Sequence, residues 1–301
     1  MSSLFVPEGT YTALVTPFQD NSTQPIDVAA LDALVDSQLE AGVDGLVPCG
    51  TTGECPTLSA EEQTTVIRRV VTGARGKAKV IAGTGTNATR STIERSQAAE
   101  HAGADGVMVV VPYYSKPTQE GLARHFVAVA RAVSCPVVIY NIPGRCGADL
   151  LPDTLARILE EAPNVVAIKE STGNVLRAQE LVRRFGSRLS VLSGDDTLTL
   201  PMIAVGARGI ISVTSNLMPK EVSRLVTLTH DGRFSEARGL HLALLPVHEV
   251  LFLEANPGPI KAALAMASRM SDVVRSPLCA ASAVTRAAIQ VALELYQRGA
   301  A

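Results

Sequence analysis

The chain has no run of basic residues, and its formal net charge of -2 is the balance of 27 Lys and Arg against 29 Asp and Glu. Such a balance leaves no electrostatic footprint for nucleic acid or an anionic membrane surface, so the expected partners are small molecules or further copies of the chain. Long apolar stretches are missing as well. Runs such as Gly106 to Pro112 fall far short of the roughly 18 residues that span a bilayer. The opening segment Met1 to Gly9 has no basic stretch followed by an apolar one, so no secretory leader is expected and the protein is expected in the cytoplasm. Five cysteines, Cys49, Cys55, Cys135, Cys146 and Cys279, include no pair at metal-binding spacing, and reduced thiols are expected. The histidines fall in predicted helices without paired metalloprotease spacing, so no metal site is expected.

What is present is apolar. With 301 residues, 47% hydrophobic and 19% charged, the chain can bury a large core. Short β-branched runs recur: Thr10 to Phe18, Gly45 to Cys49, Val80 to Gly85, Gly106 to Tyr114, Pro136 to Pro143, Val165 to Glu170, Leu189 to Gly194 and Gly209 to Ser215. Their nearly continuous apolar character suits parallel strands covered on both faces. Helical spacing fills the intervals, beginning with Val28 to Ala41 and Ser59 to Thr72, where Ser59 and Glu62 make a capping box. Gly42, Gly73, Gly103 and Gly186 stand where helices should stop. This alternation predicts an α/β fold, a (β/α)8 TIM barrel over residues 1–234, followed by a C-terminal helical extension over 235–301 packed on the barrel. No Gly- or Ser-rich linker separates the two.

Chemistry in such barrels sits at the carboxyl ends of the strands. Lys169 ends the run Val165, Val166, Ala167, Ile168. An ammonium held against hydrocarbon is poorly hydrated, which favours the neutral, nucleophilic amine required of a Schiff-base lysine. Period-two geometry places Val165, Ala167 and Lys169 on one side of the strand. Tyr140 has the parity of Val138 and points to the same interior; it is either a proton-shuttling phenol or a core tyrosine. Gly50 to Gly53 is either a carboxylate-binding turn or a turn only. Arg145 either holds a carboxylate in a two-pronged grip or lies on the surface. Together they make a site for a 2-oxo acid, with the carbonyl at the amine and the carboxylate at Thr51-Thr52. Gly83 to Ala88 matches the loose dinucleotide fingerprint, but Asp105 precedes the next strand instead of ending it, which argues against a nucleotide. For Asp195-Asp196, helix capping is preferred to magnesium binding.

Gly50-Thr51-Thr52-Gly53-Glu54, Ala82 to Thr89, Tyr140-Asn141-Ile142-Pro143 with Arg145, Ile168-Lys169-Glu170, Gly209 to Asn216 and Asn256 to Lys261 together resemble the dihydrodipicolinate synthase and N-acetylneuraminate lyase family. The double threonine and Arg145 resemble its synthase branch more than its sugar-acid lyases. The resemblance implies a lyase that forms an imine between Lys169 and pyruvate, and a proton relay of Tyr140, Thr51 and Tyr114, the last contributed across a subunit interface. It further implies that Thr52 and the Ile211 backbone hold the pyruvate carboxylate and that Arg145 holds that of L-aspartate 4-semialdehyde. The expected reaction is the condensation leading toward lysine and diaminopimelate, without metal or organic cofactor, in a homotetramer built as a dimer of dimers. Lysine-inhibited members carry histidine and glutamate where Ala60, Gln63 and Ser91 stand here, although Asn87 and Tyr113 fit, which speaks against feedback inhibition. A pyruvate-dependent lyase or aldolase acting on a 2-oxo sugar acid, such as N-acetylneuraminate, is the alternative. A non-catalytic 2-oxo acid sensor would have lost the amine or the relay, and neither is lost.

Overall fold

The β-branched runs pair side by side in the order of the chain, and the eighth returns to the first. In the computed structural model, which describes residues 4–300, eight parallel strands close a barrel: β1 Gly9–Ala13, β2 Gly45–Val47, β3 Lys79–Gly83, β4 Gly106–Val110, β5 Val137–Asn141, β6 Val165–Glu170, β7 Ser190–Ser193 and β8 Gly209–Ser212. The outer layer consists of α1 Val28–Glu40, α2 Ala60–Ala74, α3 Thr89–His101, α4 Gln119–Arg131, a short α5 Pro143–Cys146, α6 Pro152–Glu161, α7 Val175–Phe185, α8 Thr199–Ala204 and α9 Pro219–His230. The tail adds α10 Phe234–Val250, α11 Gly258–Met266 and α12 Ala283–Ala300. Among the described residues no helix is long and apolar enough to cross a membrane.

Local chemistry explains the element ends. Ser59 and Glu62 form the expected capping box on α2, and Asn174 accepts from the N–H groups of Leu176 and Arg177 to start α7. Gly42 and Gly103 end helices in the left-handed region, but α2 runs through Gly73 and stops at Arg75 and Gly76, both at positive φ. Gly186 follows α7 in right-handed geometry. Several strands are shorter than their apolar runs. β1 stops at Ala13 and β4 at Val110, although the next residues, Leu14, Val15 and Val111, are still apolar and buried.

Two apolar layers result. Tyr11, Val47, Ile81, Met108, Val138, Tyr140 and Leu192 fill the interior, while a larger cluster lies between sheet and helices. Strand parity fails at one point. Val137 pairs with Val165 but Val138 pairs with Ala167, so Val166 is an extra residue on β6. This bulge sends Val165 to the helix side, and Val166 joins Ala167 inside. From Ala167 onward the alternation holds, and it is this stretch that delivers Lys169.

The tail is tied to the barrel through charge. Lys261 on α11 is fully buried, donates to Glu54 Oε1 and, at 2.8 Å, to the Val273 carbonyl, and lies 4.2 Å from the centre of the Phe18 ring. Glu54 Oε2 accepts from the Arg275 N–H at 3.0 Å, and the Arg275 guanidinium grips Glu62 with two bonds of 2.6 and 2.8 Å. Burial pulls the Lys261 ammonium down to about 8 against the attraction of Glu54. Removing one partner of such a pair strands the other charge. Lys261→Met is expected to lower the unfolding free energy by about 3–5 kcal/mol, read from urea titration, and a second change, Glu54→Gln, to recover most of that loss.

Candidate active site

Lys169 and Tyr140 face each other across the β5–β6 ladder as directly paired residues. Lys169 is 5% exposed, and its Nζ lies 4.3 Å from the centre of the Tyr140 ring. Burial brings the amine down to about 8, with the Asp196 carboxylate opposing and the Arg145 guanidinium assisting. None of the described carboxylates makes an ion pair with it. The Tyr140 phenol is pushed up to about 12 by burial, while Arg145 and the hydroxyls of Ser171 and Thr51 pull the other way. An amine with a sizeable neutral fraction near pH 8 thus sits against a protonated phenol, the arrangement needed for nucleophilic attack with a proton donor at hand.

Room for the lysine comes from Gly194 after β7. A Cβ there would lie 1.8 Å from Ser171 Oγ and 2.9 Å from Lys169 Cε, so any side chain would displace the amine.

The Gly50–Gly53 turn follows β2. Its backbone is held by Cys55 N–H to the Gly50 carbonyl at 3.3 Å and by Thr16 Oγ1 to the Gly53 carbonyl at 2.8 Å. The N–H groups of Thr51, Thr52 and Gly53 donate to no acceptor among the described residues. Three unspent donors in one turn suit a carboxylate. Thr52 is buried and its Oγ1 accepts from Asn256 Nδ2 at 3.0 Å, while Asn256 Oδ1 has no partner. Ile211 sits in β8, buried within the same interior cluster as Tyr140.

Arg145 lies on α5, exposed, on the wall of a cavity of about 430 Å³ shared with Ile142, Ser171, Gly194, Asp195 and His248. Asn141 anchors the loop that carries it: its side chain accepts from Leu150 N–H at 3.1 Å and donates to Asp149 at 2.9 Å and to Glu170 at 3.2 Å. Tyr114 stands apart from the others. It is 89% exposed with φ of 72°, so within one chain it reaches solvent and not the barrel centre.

Lys169, Tyr140, Thr51, Thr52, Ile211 and Arg145 therefore gather at one barrel end, and Tyr114 alone projects outward. Gly83 of the loose dinucleotide fingerprint is explained by packing, since a Cβ there would meet the Cys49 carbonyl at 2.3 Å. The rest of that segment bonds internally, Thr84 Oγ1 to Ser96 Oγ at 2.8 Å and Thr86 N–H to Thr92 Oγ1 at 3.0 Å. Asp195 does cap, accepting from Thr197 N–H at 2.9 Å, but Asp196 turns inward to β8. Ser171, Asn256, Asp196 and His248 were not singled out as site residues by the sequence. Asn256, through the Asn-Pro-Gly-Pro-Ile-Lys motif, and Asp196, in the Asp195-Asp196 pair read as a cap, carry a signal.

The chain is similar to known proteins over nearly its whole length. A 4-hydroxy-tetrahydrodipicolinate synthase from Sorangium cellulosum is 59% identical over 285 residues, covering 95% of this chain and 94% of that protein. The 4-hydroxy-tetrahydrodipicolinate synthase structure from Methylacidiphilum fumariolicum superposes with a TM-score of 0.95 at 44% identity, covering 97% of both chains. A chloride-inhibited dihydrodipicolinate synthase from Acinetobacter baumannii, complexed with pyruvate, gives 0.93 at 39% identity, covering 96% of this chain and 99% of that one. The profile of the dihydrodipicolinate synthetase family matches residues 6–295, and the chain belongs to that family.

Proposed function

We propose that the chain is a Schiff-base lyase, a 4-hydroxy-tetrahydrodipicolinate synthase that condenses pyruvate with L-aspartate 4-semialdehyde in lysine and diaminopimelate biosynthesis. The observation that carries this reading is the buried Lys169 amine, free of any contacting carboxylate among the described residues, beside Tyr140. The neutral amine attacks the keto carbon, water leaves, and the protonated imine draws electrons from the neighbouring C–H bond. Loss of a methyl proton gives an enamine, which forms the new C–C bond to the aldehyde carbon while the aldehyde oxygen takes a proton. The substrate's own amine then closes the ring and displaces Lys169. Tyr140 and Thr51 move protons, joined by Tyr114 of a second subunit; Thr52 and the Ile211 backbone hold the pyruvate carboxylate, and Arg145 holds that of the aldehyde. The imine is the electron sink, so the reaction calls for neither metal nor organic cofactor.

Arg145 favours the synthase over a sugar-acid lyase, because the cavity it guards offers a guanidinium for a second carboxylate. The solvent-directed Tyr114 supports a homotetramer in which paired subunits complete each other's relay, and the reaction fits the cytoplasm. Ala60, Gln63 and Ser91 line one cavity of about 310 Å³ with Arg95. The cavity also has Glu94 on its wall, but at the three positions themselves the histidine and glutamate of lysine-inhibited relatives are replaced, which argues against inhibition by lysine.

Borohydride reduction in the presence of pyruvate, followed by peptide mass mapping, tests the central step. The adduct is expected on Lys169, and its location on Lys261 or Lys116 would sink the mechanism. Arg145→Gln is expected to raise the aldehyde KM roughly 10- to 100-fold, in line with about 1.5–3 kcal/mol for a charged hydrogen bond, while pyruvate is still trapped. Lys169 also leaves a mark on stability. Its folded value of about 8 lies below its unfolded 10.5, so between these pH values the unfolded chain holds a proton that the folded one has shed. Stability from this group therefore rises with pH across that window, and below it the full burial penalty remains. Lys169→Met is expected to unfold at higher urea than the parent at pH 7, with the gap closing above pH 8.

A further inference from the structure

Two aspartates follow β7 and do different things. Asp195 Oδ1 caps the next turn, accepting from Thr197 N–H at 2.9 Å and Thr197 Oγ1 at 2.7 Å. Asp196, 2% exposed, turns to the end of β8: Oδ1 accepts from Ser212 Oγ at 2.5 Å, and Oδ2 from the N–H groups of Val213 at 2.9 Å and Thr214 at 3.2 Å. A carboxylate has about four acceptor positions, and three of these are filled from one side. Asp196 is near enough to Lys169 to favour its ammonium, yet makes no ion pair with it. Lys261, by contrast, is seated directly on Glu54.

The clamp has a support outside the barrel. Thr214 Oγ1 lies 2.8 Å from Nδ1 of His248, a residue of α10 that is 1% exposed and whose Nε2 has no partner among the described residues. Burial lowers the His248 imidazole below its ordinary value against Asp196, Asp195 and Glu249. His241 on the same helix is lowered below its ordinary value by burial and, to a lesser extent, by His248. Burial thus favours the uncharged His248 ring, one nitrogen of which is spent on Thr214.

We propose that Ser212, Val213 and Thr214 hold the Asp196 carboxylate back from Lys169, and that His248 is the positioning residue that keeps this clamp closed. The inference rests on Lys169 as the imine-forming amine and adds how that amine is kept unpaired. Were the clamp to loosen, Asp196 would exchange its backbone donors for the lysine ammonium. Arg145 and the Tyr140 phenol, the other titratable groups facing Lys169, carry no negative charge to repel the freed carboxylate. The ammonium would be favoured, and the amine would become reactive only at higher pH.

The test is competitive acetylation of the whole protein with acetic anhydride across pH 6 to 10, with Lys169 read by peptide mass, alongside pyruvate trapping. His248→Phe keeps a ring without the hydrogen bond, and His248→Asn keeps a polar group at the Nδ1 position. The Phe variant is expected to move the midpoint of Lys169 labelling up by about one pH unit, close to a tenfold loss of labelling rate at pH 7, while the Asn variant stays near the parent. An unchanged midpoint in the Phe variant overturns the proposal, as does an equal shift in both. If the Phe variant does not fold, Thr214→Val removes the same bond and is read the same way. Because acetylation needs no pyruvate, a parent protein whose Lys169 labels but traps no pyruvate defeats the proposed function and still leaves the clamp to be judged.

Discussion

A bare amine in hydrocarbon is the constraint around which the barrel end is arranged. Transfer of Lys169 into the interior costs the charged form its hydration, and the described residues supply no contacting anion to restore it. The same chain contains the opposite solution. Lys261 is buried as deeply and drawn down to a similar value, but Glu54, the Val273 carbonyl and the Phe18 ring take up its charge. Desolvation alone therefore does not make a lysine reactive; the placement of the nearest carboxylate decides it. Glu54 meets its lysine, whereas Asp196 is occupied by the end of β8.

Three of the contacts that the helical tail makes with this barrel end bear on the site. Asn256 donates to Thr52, Lys261 pairs with Glu54, and His248 meets Thr214. Each contact lands on a turn that follows a strand, never on the strand itself. The strands satisfy their own backbone groups through the ladder, but the turns beyond β2 and β8 have polar groups that the barrel leaves over, and the tail supplies their partners. The turn proposed to grip the pyruvate carboxylate is accordingly shaped from both ends of the chain.

Much of this was legible from residue order. Nearly continuous β-branched runs alternating with 3.6-residue periodicity are a signal strong enough to give the closed parallel barrel, and strand parity placed Lys169 and Tyr140 in one interior. What escaped was set by pairing across strands or by distance along the chain. Parity mispredicted Val165, because a bulge depends on the register with β5 and leaves no mark in β6 itself. Asp196 read as a helix cap, since its donors lie on β8 and cannot be seen from its neighbours. His248 looked like one more helical histidine until its Thr214 partner, 34 residues away, came into view. Tyr114 offered the reverse case: the family resemblance assigns it a role, yet a single subunit turns it to solvent.

The pairing of Glu54 with Lys261 spans 207 residues. A ribosome adding about 5–20 residues per second completes the turn after β2 some 10 to 40 seconds before its counter-charge is made. Through that interval the acidic side chain has no cation to meet in the interior, and hydration is its only stable environment. The threonine turn of the nascent polypeptide can therefore make its local bonds to Thr16 and Cys55 early, while its partners from the tail arrive only when translation is nearly finished.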